Sequence, residues 1–167
     1  MSETRVGVLG LGLHLPATVR ENSWWPDEVV AGWQRALQSR HVDPADQPHS
    51  EGERLVREAF AALADDPFRG AVRRHVLASD CLSVDMEQAA SEEAILAADL
   101  DRAQIDLLLV SATVPDLLGT NHACSLHQRL GLARRCLTMT IEATCAAPAQ
   151  QLAIADGLIR SGRARTA

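Results

Sequence analysis

The sequence predicts an α/β fold: a mainly parallel sheet with packed helices, interrupted by a helical insertion near residues 20–75. Three observations carry that expectation. Beyond Asp80, strand-like and helix-like stretches alternate, the order that builds a parallel sheet. Residues 105–112 (Ile-Asp-Leu-Leu-Leu-Val-Ser-Ala) are nearly all apolar, as a parallel strand covered on both faces must be. Between residues 20 and 75 that regularity gives way to two helical patterns separated by a polar, proline-rich stretch.

Residues 6–15 open with Val6-Gly7-Val8-Leu9-Gly10-Leu11-Gly12-Leu13 and read as a buried strand entering a turn closed by Pro16. The Gly10-Leu11-Gly12 pattern invites a dinucleotide site. Leu15, however, stands where the third glycine belongs, and no well-formed helix follows to seat phosphates on its N-terminus. Trp24-Trp25-Pro26 precedes a helix over 27–38 with Val29, Val30, Trp33 and Leu37 on one side. After the polar stretch 39–48, Ser50 and Glu53 make a capping box. Leu55, Val56, Ala59, Phe60 and Leu63 supply the apolar stripe of the helix it starts. Met86, Ala89, Ala90, Ala94 and Ala97 mark a helix packing through small residues. Residues 121–130 form a helix with Gly131 as its stop. Leu137, Met139 and Ile141 alternate with Thr138 and Thr140 as a strand does, and 146–161 form a last helix ended by Gly162.

The 167 residues carry a net charge of −6, and all 16 basic residues are arginine. That acidic balance argues against a nucleic-acid partner, which needs a basic face. The start, Met1-Ser2-Glu3-Thr4-Arg5, lacks the form of a secretion signal, and no apolar run reaches the roughly 20 residues of a membrane span. A cytoplasmic protein without membrane contact is the expectation. The four cysteines, Cys81, Cys124, Cys136 and Cys145, contain no C-x-x-C pair, so neither a zinc ribbon nor a disulfide framework is signalled. His122, Cys124 and His127 do not stack on one helical face, and no metal is expected. Each histidine reads as a solvated or core-edge side chain.

Chemistry concentrates at Thr140-Ile141-Glu142-Ala143-Thr144-Cys145-Ala146-Ala147-Pro148, where a strand runs into a helix and Cys145 falls at or beside the helix N-terminus. Unpaired amides and the helix dipole at such a place favour thiolate over thiol. A backbone N–H there can face the oxyanion formed when the thiolate attacks a carbonyl. Cys145 thus suits covalent acyl transfer, the alternative being a small packed residue. Cys81, Cys124 and Cys136 read as core. Trp24 and Trp25, with Arg73 and Arg74, are candidates for stacking on a nucleotide base and pairing with phosphate; covering a small subdomain is the competing role for the tryptophans.

These residues resemble the β-ketoacyl-acyl-carrier-protein synthase III family of the thiolase superfamily. The resemblance lies in Ser83-Val84-Asp85-Met86-Glu87 with Ala89-Ala90, in Ile105 through Asp116, in the helix before Leu130-Gly131-Leu132, and in Cys145 followed by Leu152-Ala153-Ile154-Ala155-Asp156-Gly157-Leu158-Ile159-Arg160-Ser161-Gly162. Gly10 through Pro16 and Val72-Arg73-Arg74 resemble the family's opening and its arginine-bearing segment. It covers nearly the whole chain but only the N-terminal half of the family fold. It implies a single thiolase-like half-domain over 1–167, with the C-terminal half and its assisting histidine and asparagine absent. Cys145 is then the nucleophile that takes an acyl group from acyl-CoA and condenses it with a malonyl-carrier protein, in fatty-acid or polyketide-type biosynthesis. Acyl-CoA is a substrate and no cofactor is implied. Trp24, Trp25, Arg73 and Arg74 fall near the entering CoA. Partners are acyl carrier protein and either a second copy, as a homodimer, or a complementary half chain. Ala147 and Pro148 depart from the family's glycine and phenylalanine. They favour the alternative, a non-catalytic remnant or interaction subunit that keeps a thiolase-like dimer surface near residues 136–143.

Overall fold

The computed structural model describes residues 5–38 and 50–167. Residues 1–4, which begin the reading of the chain start, and residues 39–49, which include the whole polar stretch 39–48, lie outside the described residues. The chain divides into two compact units, Ala17–Val76 and the residues on either side of it.

In Ala17–Val76, strand β1 (Val19–Glu21) enters a 3-10 turn (Asn22–Trp24), followed by helices α1 (Asp27–Gln38) and α2 (Glu51–Ala61) and strand β2 (Arg73–His75). β1 and β2 pair antiparallel, with Arg20 opposite Arg74. α1 begins on Asp27 and Glu28 and carries Arg35 in its last turn, charges that complement the helix dipole. Ser50 caps α2, its Oγ accepting from the Glu53 N–H at 3.2 Å. The stripe expected to be buried on α2 is not: Leu55, Val56 and Phe60 are more than half exposed and α2 has no buried residue. Val56, Phe60 and Leu63 instead line a cleft of about 630 Å³ with Leu37 of α1.

The second unit holds α3 (Ser83–Ala97), β3 (Leu107–Val110), α4 (His122–Leu130), β4 (Leu137–Thr140) and α5 (Ala147–Arg160). β3 and β4 pair in parallel, Leu107 against Leu137 and Val110 against Thr140. Caps fix the helix ends. Asn121 Oδ1 accepts from the Ala123 N–H at 3.2 Å, and Gly131 closes α4 at φ 63°, a left-handed turn that glycine adopts without strain. Leu107 and Leu130 are each 1% exposed, and Leu130 packs in a core cluster with Val84, Val110, Ala123 and Leu126.

The strand expected over 6–15 does not form. No strand among the described residues pairs with this segment. It lies along α3 instead: the Leu13 N–H donates to Glu93 Oε2 at 2.9 Å, and Gly10 and Gly12 sit against the helix backbone at Ala94 and Ala90, where a Cβ would collide. The glycines therefore serve close backbone approach, while Val8, Leu9, Leu11 and Leu13 stay at least two-thirds exposed.

Candidate active site

β3 and β4 end side by side, and their carboxyl ends lead into residues 111–121 and 141–146. In open α/β sheets this is the edge at which ligands bind. Ile141 extends the pairing by one bond, its N–H donating to Val110 O at 2.7 Å. The chain then closes a 3-10 turn, Thr144–Ala146, and enters α5. Cys145 sits in that turn and is exposed. The Ala146 N–H donates to Ala143 O at 3.0 Å, Ala146 caps α5 with no side-chain acceptor, and Pro148 occupies the first helical turn, where a missing N–H costs no internal bond. Thr144, immediately before Cys145, has φ 47°. A β-branched residue in the left-handed region is strained, and strain of this kind gathers at active sites.

Beside this turn the carboxyl end of β4 is tied to α4. Thr140 Oγ1 donates to Asn121 Oδ1 at 2.5 Å and lies 3.2 Å from the Ala123 N–H. The next residue, His122, is buried at 6% exposure, not solvated or at the core edge as its sequence suggests, and its Nε2 shares a 2.8 Å hydrogen bond with Glu87 Oε2 of α3. Burial pushes the Glu87 carboxyl above its usual range, and the His122 ring acts in the opposite direction. Asp116, from the segment after β3, caps α3: its carboxylate accepts from the Ser83 N–H at 2.7 Å, the Ser83 hydroxyl at 2.9 Å and the Val84 N–H at 3.0 Å. Burial opposes ionisation of Asp116, but these three donors outweigh it and hold the carboxyl below its usual value. The signal for His122 was present in the sequence. Its register with Leu126 and Leu130, spaced by four, continues the buried stripe of α4.

The remaining candidates separate. Trp24, Trp25, Arg73 and Arg74 all lie in Ala17–Val76, whereas Cys145 belongs to the other unit. The rings of Trp24, Trp25, Trp33 and Phe68 form an edge-to-face chain with centroids 4.7, 5.0 and 5.9 Å apart. Arg20 lies 3.8 Å over Trp24, and Arg74 donates to Asn22 Oδ1 at 2.8 Å and lies 5.2 Å over Phe68. Arg73 is exposed. Of the cysteines read as core, Cys136 is buried, and that burial pushes its thiol up; Cys81 and Cys124 are exposed, because each sits outside the buried stripe of its helix or turn. For Cys81, desolvation and the carboxylates of Asp80 and Asp85 push the thiol up as well. No cluster of three metal-ligating side chains occurs among the described residues, and no helix among them is long and apolar enough to cross a membrane.

No protein-family model matches the chain. Solved structures of OleA from Xanthomonas campestris, a thiolase-superfamily enzyme, share its fold. A glutamate-to-aspartate OleA variant bound with cerulenin superposes with a TM-score of 0.70 at 18% identity, over 97% of this chain and 42% of that one. A cysteine-to-serine variant with bound lauric acid and lauroyl-CoA gives 0.69 at 18% identity, over 98% and 42%. A glutamate-to-glutamine variant gives 0.67 at 18%, over 94% and 39%. The fold is thiolase-like and corresponds to the N-terminal part of such enzymes. The chain spans about two-fifths of the length of the OleA chains it matches.

Proposed function

We propose that this chain is the acyl-accepting part of a β-ketoacyl-acyl-carrier-protein synthase III-like enzyme of fatty-acid or polyketide-type biosynthesis. The observation that carries the reading is an exposed Cys145 at the β4–α5 junction, on the carboxyl edge of a thiolase-like sheet. The Cys145 thiolate attacks the carbonyl carbon of an acyl-CoA. A carbon–sulfur bond to Cys145 forms, the bond to CoA breaks, and the CoA thiolate leaves with the electron pair. In the second step malonyl-carrier protein loses carbon dioxide, its carbanion attacks the Cys145 thioester, and the cysteine thiolate is expelled as the β-ketoacyl product forms. The strained Thr144 fixes the turn that presents the sulfur, and the uncapped first turn of α5 offers N–H groups to the developing oxyanion.

The cysteine-to-serine OleA variant holding lauroyl-CoA supports an acyl-CoA substrate by fold analogy. Within Ala17–Val76, Arg73 is the candidate contact for a CoA phosphate and the half-exposed Trp24 for its adenine; Trp25 and Arg74 hold the ring chain that supports them. The histidine and asparagine that assist decarboxylation lie, in this reading, in the part of the fold beyond the region this chain matches. Incubation with radiolabelled lauroyl-CoA tests the first step. The expected result is protein-bound label that hydroxylamine releases and that Cys145→Ala abolishes. Equal labelling of wild type and Cys145→Ala would refute the assignment.

A further inference from the structure

Among the described residues of Ala17–Val76, the apolar stripe of α2 goes uncovered. Val56, Phe60 and Leu63 share with Leu37 of α1 a cleft of about 630 Å³, and Arg57 and Arg69 also stand in its wall. Concave apolar sites of about 300–1,000 Å³ hold one small ligand, and a few polar groups fix its orientation.

The two arginines differ. Arg57 is half-buried and already paired, with a guanidinium nitrogen 2.6 Å from Glu53 Oε1. Arg69 is exposed, and no carboxylate among the described residues forms an ion pair with it. Asp66, three residues earlier, is engaged in building the turn: its carboxylate accepts from the Gly70 N–H at 2.6 Å and the Phe68 N–H at 2.9 Å. The turn so held places Arg69 at φ 51° and Gly70 at φ 82°. Glycine takes the left-handed region freely, whereas a long side chain there is strained. Strain at Arg69 therefore coincides with a charge at the cleft that the chain leaves unanswered.

We infer that this cleft binds one fatty acid, its alkyl chain along the stripe of α2 and its carboxylate on the Arg69 guanidinium. Apolar walls suit an alkyl chain, and one unpaired guanidinium suits one planar carboxylate, which it holds through two parallel hydrogen bonds. A polyanionic partner does not fit. Residues 51–69 carry five acidic side chains against three arginines, so an acidic bilayer or protein surface meets net negative charge. Every residue of the site lies in Ala17–Val76, and the assignment does not rest on the acyl transfer proposed for Cys145.

The test titrates the full chain with dodecanoate and, separately, with dodecanol at neutral pH. Binding is followed by NMR at the Val56 and Leu63 methyl groups, so that only this cleft is read. Dodecanoate is expected to bind about tenfold more tightly than dodecanol, because only the acid meets the charge of Arg69. Arg69→Gly removes the guanidinium and puts into the left-handed turn the residue that suits it, so the fold is kept. It is expected to bring the two ligands to equal affinity. Phe60→Ser, at a side chain 56% exposed, is expected to weaken both by about tenfold. Absence of methyl shifts, equal affinity of wild type for the acid and the alcohol, or an undiminished preference for the acid in Arg69→Gly would each overturn the proposal. Self-association of the unliganded chain that Phe60→Ser abolishes would assign the cleft to a second copy and overturn it as well.

Discussion

The two units of this chain solve burial differently. In the unit that carries Cys145, helices pack on a parallel pair of strands, and Leu107 and Leu130 reach 1% exposure. In Ala17–Val76 no described side chain is buried to that degree. Two amphipathic helices stand around an open cleft, and an edge-to-face chain of four rings holds the centre. Alternating strand and helix closes a core because the sheet gives every helix an apolar surface to cover; a two-stranded ribbon of three residues per strand gives α1 and α2 far less to pack on.

The largest effect that sharpens this contrast is truncation. Leu130→Ala is expected to cost about 3 kcal/mol in urea denaturation, and Phe60→Ala less than about 1 kcal/mol, because only the first leaves a cavity. Limited proteolysis of the native chain should cut within Ala17–Val76 before it cuts α3 or α4, since opening free energy follows buried contacts. Comparable costs for the two substitutions would erase the distinction between the units.

Smaller effects probe the polar cluster at the carboxyl edge. Asp116→Ala removes the acceptor for three donors at the start of α3 and is expected to cost about 1–2 kcal/mol. Glu87 and Asp116 should respond to pH with opposite signs. The Glu87 carboxyl is raised on folding, so its contribution is fullest below its unfolded value of 4.5 and is lost as pH rises through the folded value. Asp116 is lowered, so its contribution is present above 3.8 and is lost as pH falls through the folded value. Denaturation series of Glu87→Gln and Asp116→Asn against wild type check both signs; parallel slopes would contradict the assigned causes. The smallest change, Thr144→Gly, relieves a left-handed φ and should raise stability by about 0.5–1 kcal/mol while lowering acyl transfer to Cys145.

Much of the fold is legible in the residues because local signals specify local structure. Ser50, Asn121, Gly131 and Gly162 punctuate helices that begin or end within a residue or two of the expected places. The apolar run at 105–112 contains β3 as a parallel strand. What failed depends on partners distant in sequence. Residues 6–15 alternate as a strand does, yet pairing is decided by what lies beside them, and α3 lies there. The register of His122 with Leu126 and Leu130 marks it for burial, but the group that satisfies its ring, Glu87, lies 35 residues earlier. The position of Cys145 at a strand–helix junction is readable from periodicity alone; its role as nucleophile is the proposal above.

Peptide mass mapping after incubation with lauroyl-CoA reads which of the four cysteines accepts the acyl group. Cys81 and Cys124 are exposed, as Cys145 is, so exposure alone would spread the adduct over all three. An acyl mass on the Cys145 peptide alone is the expected result. An adduct distributed over Cys81, Cys124 and Cys145, or one confined to Cys81 or Cys124, would contradict it.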